Sequence, residues 1–232
     1  MPRLIALLVP AFLLCGCKAF APMTSFSDDF TSYHGGRCAA DGERIGPWSV
    51  VNNGYGCVSV EGDGHARGLQ MSPREAGLPR ATHAVLVTGP RFKAPMSYSV
   101  QVNTLEQLRE AGPAHDWETA WVVWGYSDQN HFYYFIPKPV GWELGKRDPA
   151  YPGGQRFLAS EASPVFPLGS WTNVTITQDA DNTITVFAAG RLITNVTDAE
   201  RPYTAGKIGF YGEDSLVLFK NVSAASKPGP SK

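Results

Sequence analysis

Apolar and polar residues alternate with period two through most of this chain, and a pattern of that period commits it to strands. Residues 98–102 (YSVQV), 174–178 (VTITQ), 183–187 (TITVF), 207–211 (KIGFY) and 216–222 (LVLFKNV) all carry it. Side chains on a strand point alternately to its two faces, so each run has one face to bury and one to leave in water. Asp179-Ala-Asp-Asn182 joins two of the runs as a hairpin turn, and Ala189-Gly190 starts the next. The 24 Gly and 18 Pro supply further turns. Helix is expected only in two short pieces, around 105–111 and 198–201. The expected fold class is therefore all-β, an antiparallel β-sandwich with few short helices. Its 43% hydrophobic residues are enough for one sizeable core.

The first twenty residues, MPRLIALLVPAFLLCGCKAF, have the layout of an export signal. Arg3 supplies the positive start and 4–14 an apolar stretch, which is too short to span a bilayer, since that takes about 20 residues. Leu14-Cys15-Gly16-Cys17 resembles a lipobox, so residues 1–16 are expected to be removed and Cys17 to be acylated. Acyl chains at about 0.8 kcal/mol per buried methylene would then hold the protein at a membrane. The expected organisation is a signal peptide at 1–16, a lipidated tether at 17–25, a β-sandwich at 26–222 and a disordered tail at 223–232. The expected location is a bacterial cell envelope, as a membrane-anchored lipoprotein. Cys38 and Cys57 are then the two cysteines left, and no CxxC or Cys/His cluster accompanies them. In an exported domain they are expected to pair as a disulfide, which at this spacing stabilises by about 3 kcal/mol. A net charge of −1, or −2 once Arg3 is lost, provides no electrostatic footprint for nucleic acid. The protein itself is expected to be a monomer.

Residues 116–148 (DWETAWVVWGYSDQNHFYYFIPKPVGWELGKRD) read as a three-stranded meander with turns at 127–130 and 137–141. Pairing Trp124 with Tyr133 in the first hairpin and Phe135 with Glu143 in the second sets out two faces. One carries Trp124, Tyr126, His131, Tyr133, Glu143 and Arg147. The other, with Trp121, Phe132, Tyr134, Ile136, Trp142 and Leu144, is expected to be core. A one-residue slip of the third strand would move Trp142 and Lys146 to the first face. Rings mixed with hydrogen-bonding groups suit a sugar, whose C–H faces stack and whose hydroxyls need donors and acceptors. The alternative is that both faces are core and the rings are there as strand formers. Ser97, Ser99, Gln101 and Asn103 favour a site, because a fully buried sheet would not tolerate such a polar row. The expected ligand-binding set is Trp124, Tyr126, His131, Tyr133, Glu143, Arg147 and Gln101, and the expected partner is a glycan.

The same residues carry a family resemblance. The stretches concerned are Asp28-Asp29-Phe30, the WVVWGYSDQNHFYYF meander, Gly141-Trp-Glu-Leu-Gly-Lys146 and Trp171-Thr-Asn-Val-Thr-Ile176. They are followed by the hairpin ending in Gly190 and by Gly206-Lys-Ile-Gly-Phe-Tyr211 with Phe219-Lys-Asn-Val222. In this order they resemble the concanavalin A-like lectin/glucanase superfamily, and within it the secreted laminin-G-like or 3-keto-disaccharide hydrolase-like domains of bacteria. The resemblance covers roughly 25–222. It implies a jelly roll of two curved sheets with ligands on the concave one, and does not by itself supply a function. Laminarinase-type hydrolases carry Glu-x-Asp-x-x-Glu on one strand. The nearest match here is Asp116-Trp-Glu118 with Trp121 in the third position. One catalytic carboxylate is thus missing, and Glu118 reads as a surface residue. Glu143 and His131 are the remaining candidates for acid–base work. The primary expectation is a carbohydrate-binding protein. The alternatives are a glycoside hydrolase or lyase and a non-catalytic structural or assembly lipoprotein. No cofactor is expected. Calcium is common among relatives, and Asp28, Asp29 and Asp214 are its candidate ligands, with Glu213 beside them. His34, His65, His83 and His115 are scattered without an HxH or HExxH pattern.

Overall fold

In the computed structural model residues 24–226 are described, and Cys17, with the expected signal peptide, lies outside them. In chain order the strands are β1 (Ser25–Asp28), β2 (Arg44–Ile45), β3 (Trp48–Asn53), β4 (Cys57–Glu61), β5 (Gly68–Ser72), β6 (Ala84–Lys93), β7 (Met96–Gln107) and β8 (Trp121–Asp128). They continue as β9 (His131–Lys138), β10 (Gly141–Arg147), β11 (Gln155–Glu161), β12 (Thr172–Gln178), β13 (Thr183–Ala188), β14 (Arg191–Thr197), β15 (Ala205–Glu213) and β16 (Ser215–Ser226). The first sheet runs β14-β13-β12-β7-β16-β5-β4, with β1 also paired to β16. The second runs β11-β10-β9-β8-β15-β6-β3-β2. All pairs are antiparallel, as the alternating pattern requires.

The two sheets bury one core between them. From the first sheet it takes residues such as Tyr98, Val100, Ile176, Val217 and Phe219, and from the second Val85, Val87, Trp124, Tyr133, Phe135 and Phe210. Trp48, Phe210 and Phe219 stack in series at 4.7 and 4.2 Å between ring centres, tying one sheet to the other. Cys38 and Cys57 are joined as a disulfide, as expected. The bond clips the loop after β1 onto β4, beside the bridge from Ala39 to Val58.

Several expectations are corrected here. No α-helix occurs among the described residues, and the helical turns are the 3-10 pieces Gly64–Ala66 and Pro152–Gly154. The stretch expected as a helix at 105–111 instead begins as the end of β7. Residues 223–226, expected in the tail, continue β16, and Ser25 pairs with Ala225. Glu118 is fully buried. Its carboxylate accepts from Arg109 at 2.6 Å and from the His115 amide at 3.1 Å, while Arg109 also reaches Asp214 at 2.7 Å. A carboxylate out of water needs this kind of pairing, and three loops at one end of the sandwich are locked by it.

Candidate functional site

The meander occupies β8, β9 and β10. Trp124 and Tyr133 face the core and Trp121, Phe132, Tyr134 and Ile136 face outward, the reverse of what was expected. Trp142 and Leu144 of β10 are core, as expected. In the first hairpin Trp124 does pair with Tyr133, but the ladder then shifts before Asp128 meets His131. Gly125, at φ +64°, makes that bulge, and Tyr126 consequently turns to the opposite face from Trp124. In the second hairpin Glu143 pairs with Ile136, one residue away from the expected partner. Trp142, Leu144 and Lys146 therefore share a face with Trp124, Tyr133 and Phe135, and that face is the inter-sheet core.

Two members of the expected binding set are thus interior. Trp124 has no exposed surface, stacks on Tyr133 at 5.3 Å and donates its indole N–H to Gln178 at 3.2 Å. Tyr133 donates its hydroxyl to Asp198 at 2.5 Å, and burial pushes its pKa far up. Lys146, also buried, pairs with the same carboxylate at 2.7 Å. His131 sits at the hairpin tip on the Tyr203 side, bonded to Asp128 at 2.9 Å. Gln101 lies on the first sheet, where it accepts from Asn221 at 2.9 Å. The remaining three, Tyr126, Glu143 and Arg147, fall on the outer face of the second sheet.

That outer face is apolar in its own right. Leu86, Trp121, Val123, Tyr126, Phe132, Tyr134 and Ile136 form a second cluster made only of second-sheet residues. Register builds the site across six strands. Asn52 pairs with Leu86, Leu86 with Tyr211, Tyr211 with Trp121, and Ile136 with Glu143, in one row across the sheet. Phe132 pairs with Arg147 four residues along. A cavity of about 150 Å³ opens over this floor, lined by Asn52, Ala84, Leu86, Trp121, Phe132, Arg147 and Tyr211. Gln129 and Asn130 of the β8–β9 turn close one side of it.

Polar groups stand in the lining of the cavity and next to it. The Arg147 Nε and the Asn52 Oδ1 are both buried without a hydrogen-bond partner. A buried donor and acceptor left open beside a cavity are what a hydroxylated ligand satisfies. Tyr211 donates to Glu213. Burial pushes the Glu213 carboxyl above its ordinary value, opposed by the hydrogen bond from Tyr211 and by Arg147 and helped by the negative charge of Asp214. Tyr134 donates to Glu143 at 2.9 Å and accepts from Gln155, and Lys138 approaches Glu143 at 3.4 Å. Gly145 leaves room for the Tyr134 hydroxyl, which a Cβ at that position would strike. Of the residues named from sequence, Arg147 lines this cavity and Glu143 shares the outer face, whereas Asn52 and Tyr211 of the lining, and Glu213 bonded to Tyr211, were not in the expected binding set. These come from β3 and β15, and no local pattern links those strands to the meander. The signal within reach was the alternation of Tyr211 with Glu213 at the end of β15.

A larger cleft of about 490 Å³ is lined by Ser27, Asp28, Asp29, Ser32, Tyr33 and Asn221. Asp28 is already saturated there, accepting from the Phe30 amide, the Tyr33 hydroxyl and the Trp48 indole at 2.7–2.8 Å. Asp29 accepts from Thr31, and Asp214, at the other end of β16, is engaged by His83 and Arg109. The three expected calcium ligands are therefore not brought together. Among the described residues no group of three or more His, Cys, Asp or Glu is arranged to hold a metal.

A family model described as a 3-keto-alpha-glucoside-1,2-lyase-like domain matches residues 79–224, which include the meander, β15 and most of β16. No curated protein matches the sequence. Among solved structures, the carbohydrate binding module CBM66 from Bacillus subtilis aligns at a TM-score of 0.55 and 13% identity, over 78% of this chain and 96% of its own. A Bacillus subtilis protein of unknown function with a galectin-like fold aligns at 0.52 and 12%, over 84% of this chain and 99% of its own. A sialidase aligns at 0.51 and 14%, over 78% of this chain but 17% of its own. At such identities the likeness is one of fold, an antiparallel β-sandwich of jelly-roll type.

Proposed function

The chain belongs to the family of 3-keto-alpha-glucoside-1,2-lyase-like domains, and on that premise we propose that it binds the sugar of a glycoside in the outer-face cavity of the second sheet. The observation that carries the reading is Arg147, whose buried Nε has no partner beside a floor of Trp121, Phe132 and Tyr211. The rings take a pyranose C–H face, while Arg147, Asn52 and Glu213 supply donors and acceptors for hydroxyls. As part of the same proposal, the domain is exported and held at the cell envelope by a lipid on Cys17. Calorimetric titration with methyl α-glucoside and its 3-keto form is the test. Wild type should bind one or both, and Arg147→Ala, with its fold checked by melting, should lose at least tenfold in affinity. Wild-type affinity in the variant would overturn the site.

A second reading, elimination, is favoured by Glu213. A 3-keto group acidifies the C2–H of a glucoside. A base that removes that proton lets the C1–O bond break as C1=C2 forms, and the departing oxygen is protonated by water. A carboxyl raised above its ordinary value by burial and held by Tyr211 is suited to that proton transfer, and Arg147 would donate to the ketone oxygen. Enone absorbance rising with released alcohol in wild type, and absent in Glu213→Gln, would support lyase activity. Titration heat without product would leave binding alone.

A further inference from the structure

We infer that Trp117 and His115 form a second sugar subsite beside the cavity, so that the ligand class is a glycoside of two or more rings. This rests on the reading of the cavity as a sugar site. The two rings stack face to face, 4.5 Å between centres and 6° between planes, in the loop ahead of β8. Trp117 remains 42% exposed, an arrangement with no role in the inter-sheet core or in the outer-face cluster.

The stack is joined to the cavity through the chain itself. The Trp117 carbonyl accepts the indole N–H of Trp121 at 2.7 Å, and Trp121 lines the cavity. The loop that presents it is rigidly held. The His115 amide donates to the buried Glu118 at 3.1 Å, and Gln107 donates to the His115 carbonyl at 2.9 Å. Glu118 is in turn fixed by Arg109. An exposed aromatic ring fixed before binding loses little entropy when a ligand arrives. The division of chemistry also fits two rings of one glycoside. The cavity supplies polar groups that fix orientation, whereas the shelf supplies an aromatic face that a second pyranose covers without a specific hydroxyl pattern.

Titrating the full chain with methyl α-glucoside and with maltose, whose second ring is the added probe, tests the shelf. Wild type should favour maltose by about tenfold, the scale of one good aromatic contact. That ratio should fall towards one in Trp117→Ala and be largely kept in Trp117→Phe, which retains a ring. The same preference in Trp117→Ala as in wild type would overturn the shelf and leave the cavity reading standing. Loss of both sugars in a folded Trp117→Ala would overturn the division into two subsites. Failure of wild type to bind either sugar would overturn the shelf, while binding of methyl 3-keto-α-glucoside alone would leave the cavity reading standing.

Discussion

Trp124→Ala tests which face of the meander is interior. The side chain is fully buried, stacked on Tyr133, and supplies the hydrogen bond to the Gln178 amide oxygen. Truncating a buried aromatic ring costs about 3–5 kcal/mol through lost transfer energy and the cavity left behind. The orphaned Gln178 oxygen pushes towards the upper part of that range, although its amide nitrogen keeps the Tyr203 carbonyl at 2.9 Å. A loss of about 4 kcal/mol lowers the melting temperature of a domain this size by roughly 8–16 °C. Urea melts of the disulfide-intact protein measure it, alongside calorimetry with methyl α-glucoside well below the transition. The folded variant should keep its sugar affinity within about twofold, because Trp124 faces away from the cavity. A variant that melted within about 1 kcal/mol of wild type yet lost the sugar would refute the assignment of faces.

Three further outcomes are expected. Cys38→Ala should lower stability by about 3 kcal/mol in denaturant, the chain-entropy value for a loop of this length, and an unchanged midpoint would show the clip to be idle. Gly145→Ala forces a methyl against the Tyr134 hydroxyl and the Arg156 carbonyl; it should cost about 1–3 kcal/mol in thermal or urea melts and weaken sugar binding, whereas a silent variant would mean Tyr134 is free to move. The Glu213 carboxyl is raised in the folded state by burial, so its contribution to stability is complete below its ordinary value of 4.5 and is lost as pH climbs through the raised one. Wild type should therefore lose ground to Glu213→Gln as pH rises above 4.5, and parallel stability curves would contradict the shift.

The strands were legible because alternation is a local property, and the hairpin of β12 with β13 fell where the Asp179–Asn182 turn put it. The registers around the meander were less so, for two identifiable reasons. Pro137 suggested a five-residue turn, since proline lacks a ladder donor. It is instead accommodated within β9, opposite Trp142, and the turn is closed by Lys138 with Gly141 at φ +120°. The bulge at Gly125 depends on a contact that no window of sequence contains. Gly206, on β15, lies so close that a Cβ there would strike the Gly125 backbone.

The deeper difficulty is that β8 and β9 are apolar on both faces, so period-two reasoning has no polar side with which to orient them. The choice between faces is made by what the rest of the chain offers. The first sheet presents Tyr98, Ile176 and Phe219 to the Trp124 side, and nothing of the first sheet covers the Trp121 side. A sheet left apolar on its outer face must reduce the exposure of that face by other means. Here Tyr126 and Phe132 pack on each other while Tyr211 leans on Trp121. Arg147 and Asn52 then enter the same surface with polar atoms that the protein does not satisfy. An outer face that was merely a second core would have no reason to bring in an unpaired guanidinium nitrogen, since an apolar side chain of similar volume would cost less. The polar residues retained on that surface, rather than its rings, are what support the proposal of a ligand there.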